Sequence, residues 1–124
     1  SLLERSDFLS LHCPSNEESR NFLDANAIAR LPEGAIVINT ARGDVVDDEA
    51  LIAALESGRV GAAGLDVYRG EPNNIHPGYA RLKNTFLLPH IGSATVETRS
   101  GMGLHALDNL DAFFAGKEPP NRLV

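Results

Sequence analysis

The sequence predicts an α/β fold in which helices cover both faces of a parallel sheet. Four short apolar runs alternate with stretches whose apolar residues recur at helical spacing. The runs are continuously apolar rather than alternating, which is typical of strands buried on both faces. Conspicuous polar residues follow the ends of these runs. Ligands of such sheets bind beyond the carboxyl ends of the strands, so a site is expected there.

The four predicted strands lie near residues 7–11, 35–39, 60–67 and 85–88. Pro14 ends the first of them, because proline cannot continue a central strand. The second is rich in β-branched residues, which favour strands. The third, VGAAGLDV, consists largely of small residues that allow a helix to pack closely against it.

Capping residues set the ends of the first two predicted helices. Asp24 is expected to cap a helix over residues 25–31, which Pro32 stops. Asp47 is expected to cap the second helix, whose first turn carries two acidic residues that interact favourably with the helix dipole. Gly58 is expected to end that helix.

A third helix is predicted near residues 95–115, with Gly116 as its C-cap. Two glycines weaken it locally. Its apolar stripe consists of Leu104, Leu107, Leu110 and Phe114.

The bulk properties exclude several classes of protein. The chain has 124 residues, enough for one small domain, with 43% hydrophobic residues and a net charge of −6. Basic residues are scattered, so a nucleic-acid partner is not expected. No apolar run approaches the ~20 residues that span a bilayer. The single cysteine, Cys13, excludes an intrachain disulfide and fits a reducing compartment such as the cytoplasm.

Three residues near strand ends could carry chemistry. Arg42 could bind a carboxylate through two parallel hydrogen bonds, next to a glycine that would let backbone approach a ligand. The alternative is a surface arginine paired with Asp44 or Asp47. Glu71 is restricted by the following proline, but a loop glutamate is usually solvated. His90 is either bonded to nearby backbone or an acid/base group, and a neighbouring carboxylate would favour the second role.

The other histidines and the cysteine carry less weight. His12 precedes a Cys-Pro pair at a strand end, His76 lies in a loop and His105 lies on the last helix. These residues and Cys13 are dispersed, so no metal site is predicted.

Four segments, read in order, resemble the D-isomer-specific 2-hydroxyacid dehydrogenases. They are LHCP, VINTARGDVVDDEAL, GLDVYRGEP and LLPHIGSAT, and the resemblance runs from Asp7 to the C-terminus. The set is highly specific. It implies a Rossmann-like nucleotide-binding domain. One departure is that Asn16 and Ser19 stand where the family often has threonines, and a similar turn is expected because both residues donate and accept hydrogen bonds.

The resemblance implies three catalytic residues. Arg42 matches the arginine that binds the substrate's carboxylate and carbonyl oxygen. Glu71 matches the glutamate that hydrogen-bonds the catalytic histidine and favours its protonated form. His90 matches the acid/base histidine that protonates the carbonyl oxygen as hydride arrives from the reduced nicotinamide.

The resemblance also implies a binding surface for NAD or NADP, a choice that this sequence leaves open. His90 and Arg42 border this surface, and Asp66 matches an aspartate that holds the nicotinamide carboxamide. Two further groups of residues match positions along the adenosine half and around the nicotinamide, respectively: His12, Cys13 and Pro14; and Thr40, Ala41, Gly92 and Ser93.

The family's substrate domain and its Gly-rich phosphate-binding unit have no counterpart in residues 1–124. The chain is therefore expected to be the C-terminal half of an NAD(P)-binding domain plus a final helix. Such a fragment is expected to be inactive alone, and either to self-associate or to be a piece of a longer protein. The edge of its first strand and the stripe of its last helix would otherwise lack partners.

The expected activity is reduction of small 2-oxo acids, such as glyoxylate or hydroxypyruvate, by a protein that acts as a homodimer. Phosphoglycerate dehydrogenases remain an alternative, whereas formate dehydrogenases are disfavoured because Glu71 stands where that branch has glutamine. A different class of function is also open: a non-catalytic oligomerising remnant or interaction module.

Overall fold

A computed structural model describes residues 1–123 of the chain. Short 3-10 turns occur at Leu3–Arg5, Gly43–Val45 and Tyr79–Arg81. The regular elements are, in chain order, β1 (Phe8–Leu11), α1 (Ala25–Ala29), β2 (Ala35–Asn39), α2 (Asp48–Ser57), β3 (Val60–Leu65), β4 (Thr85–Leu87) and α3 (Val96–Phe114).

The strands form one parallel sheet in the order β1-β2-β3-β4. In register, Leu11 lies beside Asn39, Asn39 beside Leu65, and Leu65 beside Leu87. The carboxyl ends of all four strands therefore share one edge of the sheet. This is the parallel α/β architecture that the sequence predicts.

The predicted helix caps are present. The Asp24 carboxylate accepts the Ala27 N–H at 2.8 Å, and the Asp47 carboxylate accepts the Ala50 N–H at 3.1 Å. Gly58 follows α2 in the left-handed region, with φ 79°.

Apart from β2, which has the predicted bounds, the strands and the helices α1 and α3 are one or two residues shorter than the patterns suggested, which is the usual uncertainty of element ends. Helix α1 ends at Ala29 rather than Leu31, and β3 ends at Leu65 rather than Val67. Leu31 and Val67 are nevertheless buried, so their apolar character serves packing beyond the regular elements.

The first of two compact units, Ser1–Ile91, has its core on one face of the sheet. Leu9, Val37 and Leu65 are buried there, together with apolar residues of α1 and α2. On the opposite face, Phe8 and Phe86 are 69% and 68% exposed. Within this unit, helices thus cover one face, although the strands are apolar on both.

The second unit, Gly92–Val124, consists of α3 and the residues that flank it. The Thr95 hydroxyl caps the helix by accepting the Thr98 N–H at 3.1 Å. Ala115 is the C-cap, and Gly116, the predicted C-cap, follows with φ 68°. No residue of α3 is buried, so the apolar stripe predicted on this helix is exposed.

Candidate active site

Predicted site residues follow the carboxyl ends of neighbouring strands. His12 comes directly after β1, Thr40 after β2 and Asp66 after β3, while His90 lies three residues beyond β4. The Asp66 N–H donates to the Asn39 carbonyl at 3.0 Å, which extends the sheet pairing up to this edge. Parallel topology thus gathers residues that are far apart in sequence.

One cleft at this edge, called here the strand-end cleft, has a volume of about 520 Å³. It brings together six of the ten residues predicted to contact the cofactor. Its lining consists of His12, Cys13, Pro14, Ser15, Thr40, Ala41 and Arg42.

Arg42 is exposed at the mouth of this cleft, and Asn39 fixes its backbone. The Asn39 side chain, 1% exposed, donates to the Arg42 carbonyl at 3.0 Å and accepts the Ala41 N–H at 3.0 Å. The guanidinium donates to the Ala41 carbonyl at 2.7 Å. Within residues 1–123 it forms no ion pair, so the alternative pairing with Asp44 or Asp47 is not observed.

Gly43 has a packing role that the sequence did not indicate. A Cβ atom at this position would lie 2.0 Å from the carbonyl carbon of Tyr68. The glycine therefore lets the loop after β2 pack against the loop after β3, and its approach to a ligand stays a prediction.

His90 and Glu71 form a close pair. His90 Nδ1 lies 2.7 Å from Glu71 Oε1, with the histidine side chain 48% exposed and the glutamate side chain 25% exposed. The Tyr68 N–H also donates to the glutamate, at 3.4 Å. His90 has a φ of 56°, in a region where few residues other than glycine occur and which costs backbone energy. The pair lies in a second cleft, the histidine cleft, of about 340 Å³.

Asp66 and Tyr68 hold the segment that carries His90. Asp66, 5% exposed, accepts the Ile91 N–H at 2.8 Å through Oδ1. The Tyr68 hydroxyl lies 2.9 Å from the Leu65 carbonyl and 2.8 Å from the Leu88 carbonyl. Burial raises the pKa of this hydroxyl, so it stays a donor. Asp66 therefore has a structural contact in addition to its predicted role toward the carboxamide.

Gly92 and Ser93, also predicted to contact the nicotinamide, belong to the second unit, and their role stays a prediction.

The remaining histidines have local partners. His12 Nε2 lies 2.8 Å from the Ser10 hydroxyl, and His76 Nε2 lies 3.0 Å from Glu49 Oε1. His105 Nδ1 lies 3.9 Å from Asp108 Oδ2. Across residues 1–123, no three histidine, cysteine or acidic side chains are arranged to hold a metal ion.

The turn after β1 forms as expected despite its departure from the family pattern. The Asn16 side chain accepts the Ser19 N–H, and the Ser19 hydroxyl accepts the Asn16 N–H, each at 2.9 Å. Ser19 is buried, so this reciprocal pair satisfies polar groups that are shielded from water.

Comparison with known families places this site in context. Residues 1–92 match the family model described as D-isomer specific 2-hydroxyacid dehydrogenase, NAD binding domain. The chain belongs to this family.

Curated relatives carry names from the same family. The chain is 54% identical over 118 residues to a glycerate dehydrogenase of Hyphomicrobium methylovorum. It is 47% identical over 120 residues to glyoxylate/hydroxypyruvate reductase B of Erwinia tasmaniensis. These alignments cover 95% and 97% of this chain but 36% and 37% of the relatives, so the chain spans little more than a third of their length.

A solved structure of this family superposes closely. It is an NADPH-dependent glyoxylate/hydroxypyruvate reductase from Sinorhizobium meliloti in complex with NADP and malonate. The TM-score is 0.87 at 36% identity, and the superposition covers 91% of this chain and 35% of that one. The Rossmann-like character inferred from the sequence is thereby confirmed, as is the suitability of the fold for NAD or NADP.

The sequence alone did not point to several residues that hold the loops of the candidate site. Asn39, Tyr68 and Arg69 all hold the loops that bear Arg42, Glu71 and His90. Asn39 carried a usable signal, because it is a polar residue at the end of a buried strand. The other two had none, since the acceptors of Arg69 and the Leu88 acceptor of Tyr68 are distant in sequence. Along residues 1–123, no helix is long and apolar enough to cross a membrane.

Proposed function

We propose that this chain is the catalytic part of an enzyme that reduces small 2-oxo acids, glyoxylate or hydroxypyruvate among them, to 2-hydroxy acids with NADH or NADPH. Arg42, Glu71 and His90 would carry the reaction. The observation that supports this most strongly is the 2.7 Å contact between His90 and Glu71 at the carboxyl edge of the sheet.

The contact assigns different tasks to the two nitrogens of His90. An ionised carboxylate accepts hydrogen bonds but cannot donate them, so Nδ1 carries the hydrogen that Glu71 accepts. Nε2 is then the atom that exchanges a proton with the substrate. It would give that proton to the carbonyl oxygen during reduction and take it from the hydroxyl in the reverse direction. By accepting from Nδ1, Glu71 also holds the imidazole ring in one orientation.

Arg42 would bind the anionic end of the substrate. The chain carries a net charge of −6, so a 2-oxo acid needs a local cation. A guanidinium that is exposed and free of ion pairs within the described residues can bind a carboxylate through two parallel hydrogen bonds.

The strand-end cleft fits part of a dinucleotide. It lies beyond the carboxyl ends of β1 and β2, where parallel sheets bind such ligands, and small or flat side chains line most of it. His12, Cys13 and Pro14 would contact the adenosine half, and Thr40, Ala41 and Asp66 the nicotinamide half. A bound reduced nicotinamide supplies the hydride, while the protein supplies orientation and charge. Gly92 and Ser93 are predicted contacts of the nicotinamide as well.

The proposal includes a cytoplasmic enzyme that acts as a homodimer and binds neither nucleic acid nor membranes. The half-buried free thiol of Cys13 supports a reducing compartment. The net negative charge and scattered basic residues disfavour nucleic acid.

The test is reduction of 2-oxo acids by the full product of the gene that encodes this chain. Glyoxylate and hydroxypyruvate are mixed in turn with NADH and NADPH, and the loss of reduced-nicotinamide absorbance is followed. We expect turnover that His90→Gln slows by about 10²- to 10⁴-fold and Glu49→Gln preserves. Glu49 is a matched control because it also pairs with a histidine, but outside both clefts. Lack of turnover with every pair would overturn the proposal.

A further inference from the structure

Arg69 joins two loops of the site. Its Nη2 atom donates to the Asp44 carbonyl at 3.1 Å, to the Val46 carbonyl at 2.8 Å and to the side-chain oxygen of Asn21. Three acceptors thus share the two hydrogens of this nitrogen. The Nε atom is buried, and it lies 4.0 Å from the Asp44 carboxylate.

The carbonyls that Arg69 binds belong to the turn that follows Arg42 and to Val46, the residue that ends it. This turn, Gly43–Val45, starts immediately after Arg42, and Gly43 packs against the backbone of Tyr68. Asn39 holds the Arg42 carbonyl from the strand side at 3.0 Å. The backbone of Arg42 is therefore fixed by Asn39 on one side and by Arg69 on the other.

Arg69 also provides a cation for Asp44. Asp44 is the acidic residue closest to Arg42 in the sequence, two positions away, and its carboxylate could compete for the Arg42 guanidinium. Arg69 lies 4.0 Å from that carboxylate, and the Ser15 hydroxyl lies 3.5 Å from it. By engaging Asp44, Arg69 leaves the Arg42 guanidinium available to an external carboxylate.

We propose that Arg69 is a positioning residue for substrate binding. It orients Arg42 through the turn after β2 and keeps Asp44 away from it. Because Arg69 precedes Glu71 by two residues, the same side chain fixes the spacing between the loop that binds the carboxylate and the loop that supports His90. This inference rests on the proposed function and concerns the same site.

The experiment compares Arg69→Met, Arg69→Lys and Arg42→Met in the full gene product. We expect Arg69→Met to raise KM for the 2-oxo acid by about 10- to 100-fold, because a displaced binding group costs factors of this size. KM for the coenzyme should change less. In the Arg42→Met background, Arg69→Met should cause no further loss of kcat/KM, because it acts through Arg42. Adding Asp44→Asn to Arg69→Met should restore part of the binding.

Arg59→Met is the matched control. Arg59 also donates to two backbone carbonyls, those of Ala29 and Leu31, but it precedes β3 at the opposite end of the strand. Thermal unfolding of each variant separates lost stability from lost positioning. A rise in KM that is equal for Arg59→Met and Arg69→Met would overturn the inference, and so would losses that multiply in the Arg42→Met background.

Calorimetric binding of oxamate, an unreactive 2-oxo acid analogue, gives a readout that does not require turnover. We expect Arg69→Met to weaken oxamate binding, and Arg69→Lys, which keeps the charge, to restore part of it. Equal oxamate affinity for wild type and Arg69→Met overturns the positioning role even if no substrate is reduced. Absence of turnover together with a weakened Arg69→Met instead counts against the proposed function alone.

Discussion

Nδ1 of His90 lies 2.7 Å from Oε1 of Glu71, although 19 positions separate the two residues in the sequence. A second histidine–carboxylate pair, His76 and Glu49, has a similar distance of 3.0 Å. What distinguishes the first pair is its setting. It lies in a cleft, on the segment that follows β4, and the histidine has a left-handed backbone. Geometry and position together, rather than the contact alone, mark it as the candidate acid/base pair.

Replacing either member of this pair should slow proton transfer. We expect His90→Gln to lower kcat for 2-oxo acid reduction by about 10²- to 10⁴-fold, the usual contribution of a general acid. Glu71→Gln should lower it by up to the same factor, because Glu71 acts through His90. Steady-state kinetics of the full gene product measure both effects. Glu71→Gln with wild-type kcat would show that the carboxylate is dispensable.

Replacing Arg42 should weaken binding of the substrate anion. Loss of a charged, two-pronged hydrogen bond costs about 1.5 to 3 kcal/mol, so Arg42→Met should raise KM for glyoxylate by roughly 10- to 100-fold. Arg42→Lys should recover only part of the lost affinity, since an ammonium lacks the paired, coplanar N–H donors of a guanidinium. Exposed Arg81, which follows no strand end, is the control, and Arg81→Met should leave KM unchanged. A similar KM for Arg42→Met and wild type would contradict the assignment.

Two glycines should respond differently to the same substitution. Gly43→Ala would place a Cβ atom 2.0 Å from the backbone of Tyr68, so the two loops must separate. We expect this variant to lose about 1 to 3 kcal/mol of unfolding free energy. Gly64→Ala meets no heavy atom within 4 Å and should cost far less. Urea unfolding of the two variants tests this, and equal losses would show that the contact between the loops is not tight.

Tyr79 should make the chain sensitive to alkali. This residue is 2% exposed, and its hydroxyl lies 2.7 Å from the Asp48 carboxylate. Burial and that carboxylate raise its pKa well above the usual range. The contribution of the protonated hydroxyl to stability is complete below the pKa of this tyrosine in the unfolded chain, about 10. It is lost as pH rises further. The unfolding free energy should then fall by about 1.4 kcal/mol per pH unit for this group.

Tyr79→Phe should reduce that alkaline slope and, at neutral pH, cost about 1 kcal/mol of unfolding free energy for the lost hydrogen bond. Burial also raises the pKa of Tyr68, the chain's other tyrosine, so part of the slope should remain in the single variant. Urea unfolding between pH 8 and pH 11 measures the slope of the unfolding free energy against pH. An unchanged slope in Tyr79→Phe would contradict the assignment.

Asp48 should make the stability of the chain depend on pH in the acid range. Burial raises the pKa of this carboxyl above its usual range, more than the hydrogen bond from Tyr79 lowers it. The protonated form is therefore the one that folding favours, and its contribution is lost as pH rises through the raised pKa. Asp48→Asn keeps an acceptor for Tyr79 and does not titrate. The unfolding free energy of this variant, relative to that of wild type, should increase from pH 3.5 to pH 6. A difference between the two proteins that stays constant with pH would show that the carboxyl is not desolvated.

Local sequence patterns were sufficient for the elements of this fold. Asp24 and Asp47 cap the helices that they were expected to cap, because a cap depends on residues three positions apart. Strand β2 has the predicted bounds, since a β-branched run between turn residues has few alternatives. Motif order also carried the family and the candidate pair of Glu71 and His90.

Long-range packing decided what the sequence could not. Gly43 was expected to let backbone approach a ligand, and the structure places it against the backbone of Tyr68. No sequence pattern predicted the contacts of Arg69, because its acceptors lie 23 to 48 positions away. The sequence also did not predict the exposure of the sheet face that bears Phe8 and Phe86. This face is apolar in sequence but exposed within its unit. Composition and spacing determine which segments form strands and helices, and which side chains can do chemistry. Only the parallel sheet, by placing distant strand ends along one edge, decides which of them meet.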